Sequence, residues 1–275
     1  MACNDDWQVA GRRKGAARRG KQASNLKQDS HQVSDCKPDK QKIINATNEL
    51  RGEGFWMEWK DLLSERLLPG SSEQNGKVSP QHCVCYGLGH FASCASARYQ
   101  LAMLLLLLET LQIPAGRCSV YDPVFSESER EALEELGFTV LTENEEGKRG
   151  VYHPTLFYLM HCGKALYNNL LWRNWTPQTL PKIIIIGNSF HGIQERMLQR
   201  EFERDYSFLS NIVSACDETP LPCSPRFLDV FNDTALVRFP LENLNKLPEC
   251  TWADPSEPLY QHCQDLEIIQ KEKRS

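Results

Sequence analysis

The 275-residue chain has no apolar run long enough to cross a bilayer. The longest, Leu101–Leu108, has eight residues, against the roughly 20 that a spanning helix needs. Its first residues hold no apolar stretch of the kind a secretory leader carries, so the sequence predicts neither secretion nor a membrane partner. No two cysteines stand at C-x-x-C spacing, the usual mark of a structural zinc site, and no metal is expected. The cysteine count is odd, eleven, and Cys83, Cys85, Cys94, Cys118 and Cys162 lie in apolar stretches. Reduced thiols in the cytoplasm, or in the nucleus, fit that usage better than a disulfide framework. No 20–50-residue repeat is visible.

Present instead are 41% hydrophobic and 24% charged residues with a net charge of −5, a globular composition with material for a core. That charge is uneven. Residues 1–40 carry nine Lys/Arg and five Asp/Glu, +4, and the remaining 235 carry 22 and 31, −9. With Trp7 as its lone aromatic, the segment 1–42 reads as a disordered basic tail. Its clusters Arg12-Arg13-Lys14 and Arg18-Arg19-Gly20-Lys21 suit a solvated tail, a nuclear import address or a weak nucleic-acid contact. The acidic body argues against a nucleic-acid-binding core.

Residues 43–80 read as an amphipathic helix, with Phe55, Trp56, Trp59, Leu62, Leu63 and Leu67 on one stripe, and a polar linker from Ser71 to Pro80. The stripe either covers the chain's own sheet or docks a partner. Residues 81–240 alternate short strands and helices. HCVCY, CSVY, FTVL, Thr155–His161, KIIIIG and Ala235–Phe239 read as strands; Phe91–Gln112, Ser126–Leu136, a segment ending near Trp172, and Ile193–Tyr206 read as helices. Runs such as IIII mean strands covered on both faces, and the alternation means right-handed crossovers. The expected fold is α/β, a Rossmann-like three-layer sandwich with a mostly parallel sheet of about six strands. Residues 241–275 form a C-terminal extension.

Ligands of such folds sit at the carboxyl ends of the strands. After the first strand, Gly87-Leu88-Gly89-His90-Phe91-Ala92 fits G-x-G-x-x-A, so Gly87, Gly89 and His90 are candidates for ligand contact. The same glycines suit a tight turn that binds nothing. Asp122 ends the second strand, where dinucleotide folds hold the ribose, but it lies 33 residues past Gly89 rather than roughly 20; Asp122-Pro123 is equally a turn. His161 and Cys162 end the fourth strand, and adjacent strand residues point to opposite faces, so they do not make a catalytic pair. His161 is a candidate ligand contact or a satisfied interior histidine. Gly187-Asn188-Ser189-Phe190-His191 approaches a nucleophile elbow but lacks its last glycine, leaving Asn188 and Ser189 as polar ligand contacts. Asn232 and Asp233, before the last strand, are turn residues and further candidates.

These pieces, VCYGLGHF, VYDPVF, MHC, PKIIIIGNSF and FNDTALVRF, in this order from about Trp56 to Phe239, resemble the SRR-like family, named for "sensitivity to red light reduced" in plants. Where that family usually has Pro before the His of the fourth-strand motif, this chain has Met160; the Ser and His often found in the last-strand motif are replaced near Ala235 and Arg238. The resemblance implies a regulatory role, in clock-gene expression and haem biosynthesis, and no settled reaction. One expectation is therefore a regulator with a Rossmann-like site for a small molecule or an unknown protein partner and no turnover. Another is a methyltransferase-like enzyme using S-adenosylmethionine, or binding a nucleotide, by fold-level analogy. Against it, Pro240 and Pro248 interrupt the region where a reversed closing strand is expected. A third is a scaffold acting through the Trp56–Leu68 helix.

Overall fold

The computed structural model describes residues 37–68, 79–253, 255–261, 263, 266 and 268. The expected disordered tail up to residue 36, its basic clusters, and most of the Ser71–Pro80 linker lie outside the described residues.

Seven strands form one sheet: β1 (His82–Tyr86), β2 (Cys118–Tyr121), β3 (Thr139–Val140), β4 (Thr155–Leu159), β5 (Ile183–Asn188), β6 (Asp217–Pro220) and β7 (Thr234–Arg238). The helices are α1 (Lys40–Arg51), α2 (Gly54–Leu67), α3 (Ala95–Thr110), α4 (Glu127–Glu135), α5 (Lys164–Arg173), α6 (Phe190–Glu195), α7 (Gln199–Asp205), α8 (Ser207–Ile212), α9 (Leu228–Phe231) and α10 (Leu241–Leu244). The sheet order is β3-β2-β1-β4-β5-β7-β6. β1 to β5 pair in parallel, and β7 runs antiparallel to both β5 and β6.

The period-two side-chain alternation of a strand divides the apolar residues between two cores. Cys83, Cys85, Ile184 and Ile186 face one core, closed by α1, α2, α3, α4 and α9. Val84, Tyr86, Ile183 and Ile185 face the other, closed by α5 to α8 and the segment carrying Tyr260. The expected three-layer α/β sandwich is thus observed. The all-round apolar stretch of α3 has a direct cause: one side meets the sheet and the other is roofed by α1, through Ile43, Ala46 and Leu50. On α2, Phe55, Trp56, Trp59, Leu63 and Leu67 are buried in the chain's own core, and the Trp59 indole donates to the Pro222 carbonyl at 2.6 Å. Each such side chain contributes about 1.5–3 kcal/mol by burial, so the stripe read as core or docking face is core.

Three expectations are corrected. The sheet has seven strands rather than about six, and the strand read as the sixth, Ala235–Phe239, is β7, which runs reversed between β5 and β6. Its neighbour β6 reads DETP and carries no apolar pattern, because it lies at the sheet edge, half-buried, where a proline is tolerated. A reversed strand is therefore present, but it is β7 itself; among the described residues none follows Phe239, where Pro240 and Pro248 interrupt the chain. The helix expected over Ile193–Tyr206 begins earlier and is split into α6, α7 and α8. The break has a tertiary cause: the side-chain oxygen of buried Asn168 on α5 accepts from the amides of Phe208 and Leu209 at 3.0 and 3.2 Å and starts α8 anew. Finally α1 starts at Lys40, so Lys40–Lys42 are helical; Asp39 caps them by accepting from Gln41 at 2.9 Å.

Candidate functional site

The strand order reverses between β1 and β4, and a crevice opens there at the carboxyl ends of the strands. Its cavity measures about 360 Å³, within the roughly 300–1,000 Å³ of small-molecule sites, and its walls include Tyr86, Tyr121, Glu145, Glu146 and Leu166.

The first wall is the turn after β1. Gly87 and Gly89 both have left-handed φ, +70° and +77°, a region that favours glycine. At Gly87 space matters as well: a Cβ would lie 2.7 Å from the Cys162 Sγ. Asp122 is buried and inward, but its carboxylate serves the fold. One oxygen accepts from the Gly89 amide at 2.7 Å and the other from the Val124 amide at 3.0 Å. The acid thus clips the glycine turn to the end of β2. His90 turns to α4, where its Nδ1 lies 3.1 Å from Glu129 Oε2. Glu129, 1% exposed, also accepts from the Ala92 amide at 2.9 Å and closes the capping box of α4 by accepting from the Ser126 amide at 3.0 Å. Because Ala92 is held this way, α3 begins only at Ala95 rather than at Phe91.

The second wall is the charged loop after β3. The Tyr86 hydroxyl donates to Glu145, and Arg149 Nη1 reaches both oxygens of that carboxylate, at 3.0 and 3.1 Å. Burial, then the Glu145 hydrogen bond, push the Tyr86 phenol well above its usual range. Asn169 and Asn174 on and after α5 hold the loop by donating to the Glu146 and Arg149 carbonyls at 2.7 and 2.8 Å. These two asparagines were not singled out in the sequence, since an asparagine on or just after a helix carries no mark of the loop it will meet.

The third wall is the end of β4. His161 adopts φ +51°, uncommon for a residue with a side chain and characteristic of functional sites. Asn188 at the end of β5 holds it there: its side-chain oxygen accepts from the His161 amide at 3.1 Å, and its Nδ2 donates to the Cys162 carbonyl at 3.0 Å. His161 Nε2 lies 2.9 Å from the Val230 carbonyl, which can only accept. The proton therefore sits on Nε2, and in the neutral ring Nδ1 keeps its lone pair. The Cys162 thiol donates to the Tyr86 carbonyl at 3.3 Å; burial, with help from Asp122, pushes it up to about 12. A thiol so held is no nucleophile at neutral pH. His161 and Cys162 also partition the crevice from a second cavity of about 300 Å³, lined by Lys164, Asn188 and Arg196 among others.

The remaining candidates lie in the frame. Ser189 has φ −56°, without the strain of a nucleophile elbow. Its hydroxyl donates to Glu218 on β6 at 2.5 Å and accepts from the Gly192 amide at 2.8 Å, capping α6. Glu218 also accepts from the Phe190 and His191 amides, at 2.8 and 3.2 Å. Asp233, at φ +53°, accepts from the Ser189 amide through its carbonyl at 2.9 Å and pairs with Arg196 at 2.5 Å. Asn232 is exposed and ends α9. The structure therefore brings Gly87, Asp122 and His161 to the main cavity and Asn188 to the second, while Gly89, His90, Ser189, Asn232 and Asp233 line neither. Among the described residues, no group of three or more His, Cys, Asp and Glu is arranged to hold a metal ion, and no helix is long and apolar enough to cross a membrane.

Comparison with known proteins agrees with this core. The sequence model of the SRR1 domain matches residues 59–238. An SRR1-like protein of Mus musculus is 53% identical over 148 residues, 53% of this chain and 59% of that protein. An SRR1-like protein of Drosophila melanogaster is 32% identical over 248 residues, 87% of this chain and 84% of that protein. The Arabidopsis thaliana protein named SENSITIVITY TO RED LIGHT REDUCED 1 is 34% identical over 165 residues, 58% of either chain. The matched stretch thus spans less than two thirds of the mouse and Arabidopsis relatives.

Proposed function

The chain belongs to the SRR1 domain family, and on that premise we propose that it is a regulatory protein governed by a small nucleoside-type ligand held in the β1–β4 crevice. The observation that carries this reading is the coincidence of the about 360 Å³ cavity with the point where the strand order reverses. The crevice suits a nucleoside chemically. Gly87 lets backbone approach a ligand closely, and the half-buried aromatic Tyr121 and the polar Asn144 line the wall. The name of the Arabidopsis relative, which concerns sensitivity to red light, supports the regulatory side. We extend it to clock-gene expression and haem biosynthesis on the family resemblance alone. In this reading the work is done in the cytoplasm and the nucleus, the basic clusters in residues 12–21 supporting nuclear entry, and the occupied crevice sets affinity for a protein partner.

A second reading, methyl transfer from S-adenosylmethionine, is favoured by one observation: the reversed β7 beside β5, the closing strand such enzymes use. It is a fold-level analogy. The crevice residues fit the cofactor's nucleoside, but the chemistry is less well served. The Cys162 thiol stays protonated, and one nitrogen of His161 is spent on Val230. S-adenosylmethionine would supply an activated methyl group; this chain's residues would bind it, orient it and exclude water.

Isothermal titration of the full chain with S-adenosylmethionine and with NAD tests the ligand reading. One saturable heat is expected, weakened at least tenfold by Tyr121→Ala, which removes a wall residue that is only partly buried against the core. No heat with either compound would refute it.

A further inference from the structure

Resting on the nucleoside reading of the crevice, we infer that it selects a positively charged, phosphate-free nucleoside, of the sulfonium or ammonium type, and rejects nucleotides. Three observations carry this. A Rossmann turn binds phosphate through free amides at the glycine loop and the following helix N-terminus. Here three of the turn's six amides, both glycines' among them, are taken: Gly87 N donates to the Tyr121 carbonyl at 3.3 Å, Gly89 N to Asp122 at 2.7 Å and Ala92 N to Glu129 at 2.9 Å. The helix α3 starts eight residues beyond Gly87 and contributes nothing to the cavity wall.

The second observation is charge. The ionisable acids on the wall are Asp122, Glu145 and Glu146, and among the described residues no lysine or arginine lines the cavity. Arg149 and Lys148, which pair with Glu145 and Glu146, stand outside the lining, and Lys148 is shared with Glu257 at 2.7 Å. A phosphate entering here meets carboxylates first, in a partly desolvated space where repulsion is stronger than in water. The third observation is the half-buried Tyr121, which lines the cavity beside the more deeply buried Tyr86. Aromatic faces attract a desolvated cation more strongly than a neutral thioether. In the turn that marks a nucleotide site in the sequence, two amides are thus spent on the chain's own acids and a third on a strand carbonyl, while the cavity beside it favours a cation.

The test is competition on the full chain among four probes: S-adenosylmethionine, S-adenosylhomocysteine, ATP and NAD. The first two share a skeleton and differ by the S-methyl group and the positive charge it brings to sulfur. S-adenosylmethionine is expected to bind at least tenfold tighter than S-adenosylhomocysteine, and ATP and NAD at least 100-fold weaker. Raising salt should narrow the first gap, and Glu145→Gln, which keeps an acceptor for Tyr86, should shrink it towards equality. Equal binding of the two sulfur compounds, or tighter binding of ATP or NAD, overturns the inference while leaving the crevice a nucleoside site. Silence for all four overturns the nucleoside reading itself and the inference with it.

Discussion

Gly87 carries two separable demands, and substitution at this position resolves them. In Gly87→Ala the new side chain must be held at φ +70°, which costs an L-residue roughly 1–2 kcal/mol. Its Cβ would also stand 2.7 Å from the Cys162 Sγ, an overlap that a packed core relieves at about 1–3 kcal/mol. Together these destabilise the protein by about 2–5 kcal/mol. The sulfur is the sole atom within 4 Å of that Cβ, leaving out the chain neighbours. In a Cys162→Ala background the overlap therefore disappears and the backbone demand alone remains. Urea unfolding of the wild type, both single variants and the double variant measures the coupling, provided the slope with denaturant stays constant. A coupling of about 1–3 kcal/mol is expected, or roughly 2–4 °C in Tm per kcal/mol for a domain of this size. An identical cost for Gly87→Ala in both backgrounds would falsify the claim that the glycine exists to admit the thiol.

Glu129→Ala should cost about 2–6 kcal/mol, since it strands the amides of Ala92 and Ser126 at roughly 1–3 kcal/mol each; denaturation at or above the wild-type midpoint would contradict this. Cys162 should resist maleimide at pH 7.5 in the native protein while exposed Cys94 and Cys250 react, as mapped by peptide mass spectrometry. Its thiol is held up to about 12 when folded, against roughly 8.5 unfolded. Between those values the folded state keeps a proton that the unfolded chain gives up, so this group's contribution to stability is complete below the lower value and is lost as pH rises through the higher one. Cys162→Ala should therefore flatten part of the alkaline fall in stability, and an unchanged slope would count against it. The Tyr260 hydroxyl bonds buried Asn168, Asn169 and the Ala165 carbonyl, at 3.0, 2.7 and 3.1 Å. Tyr260→Phe should speed amide exchange across residues 255–261 at a cost of about 1–3 kcal/mol, leaving β1 to β5 protected; uniform loosening would mean that this segment is not a separate strap.

Much of the fold was legible because its causes are local. The apolar runs of β1, β4 and β5, the box around Ser126, and the glycines after β1 each declare themselves within a few residues. Strand β6 was not legible, because an edge strand needs no apolar pattern, and its absence hid the reversal of β7. The site was half legible for the same reason. Gly87, Asp122, His161 and Asn188 stand at strand ends where the fold puts ligands, but the sequence alone could not tell an acid facing a ligand from one clipping a turn.

What the sequence by itself determined is an α/β sandwich with buried parallel strands and chemistry-bearing residues at their carboxyl ends, since periodicity and turn chemistry act over short spans. The tertiary structure alone decided which polar groups have partners. Asp122 and Glu129 close the glycine turn, Asn188 holds His161 in a left-handed conformation, and Glu218 takes the amides beside Ser189. Those assignments join residues 27 to 37 positions apart, and strand order, which no local pattern encodes, is what brings them within a hydrogen bond of each other.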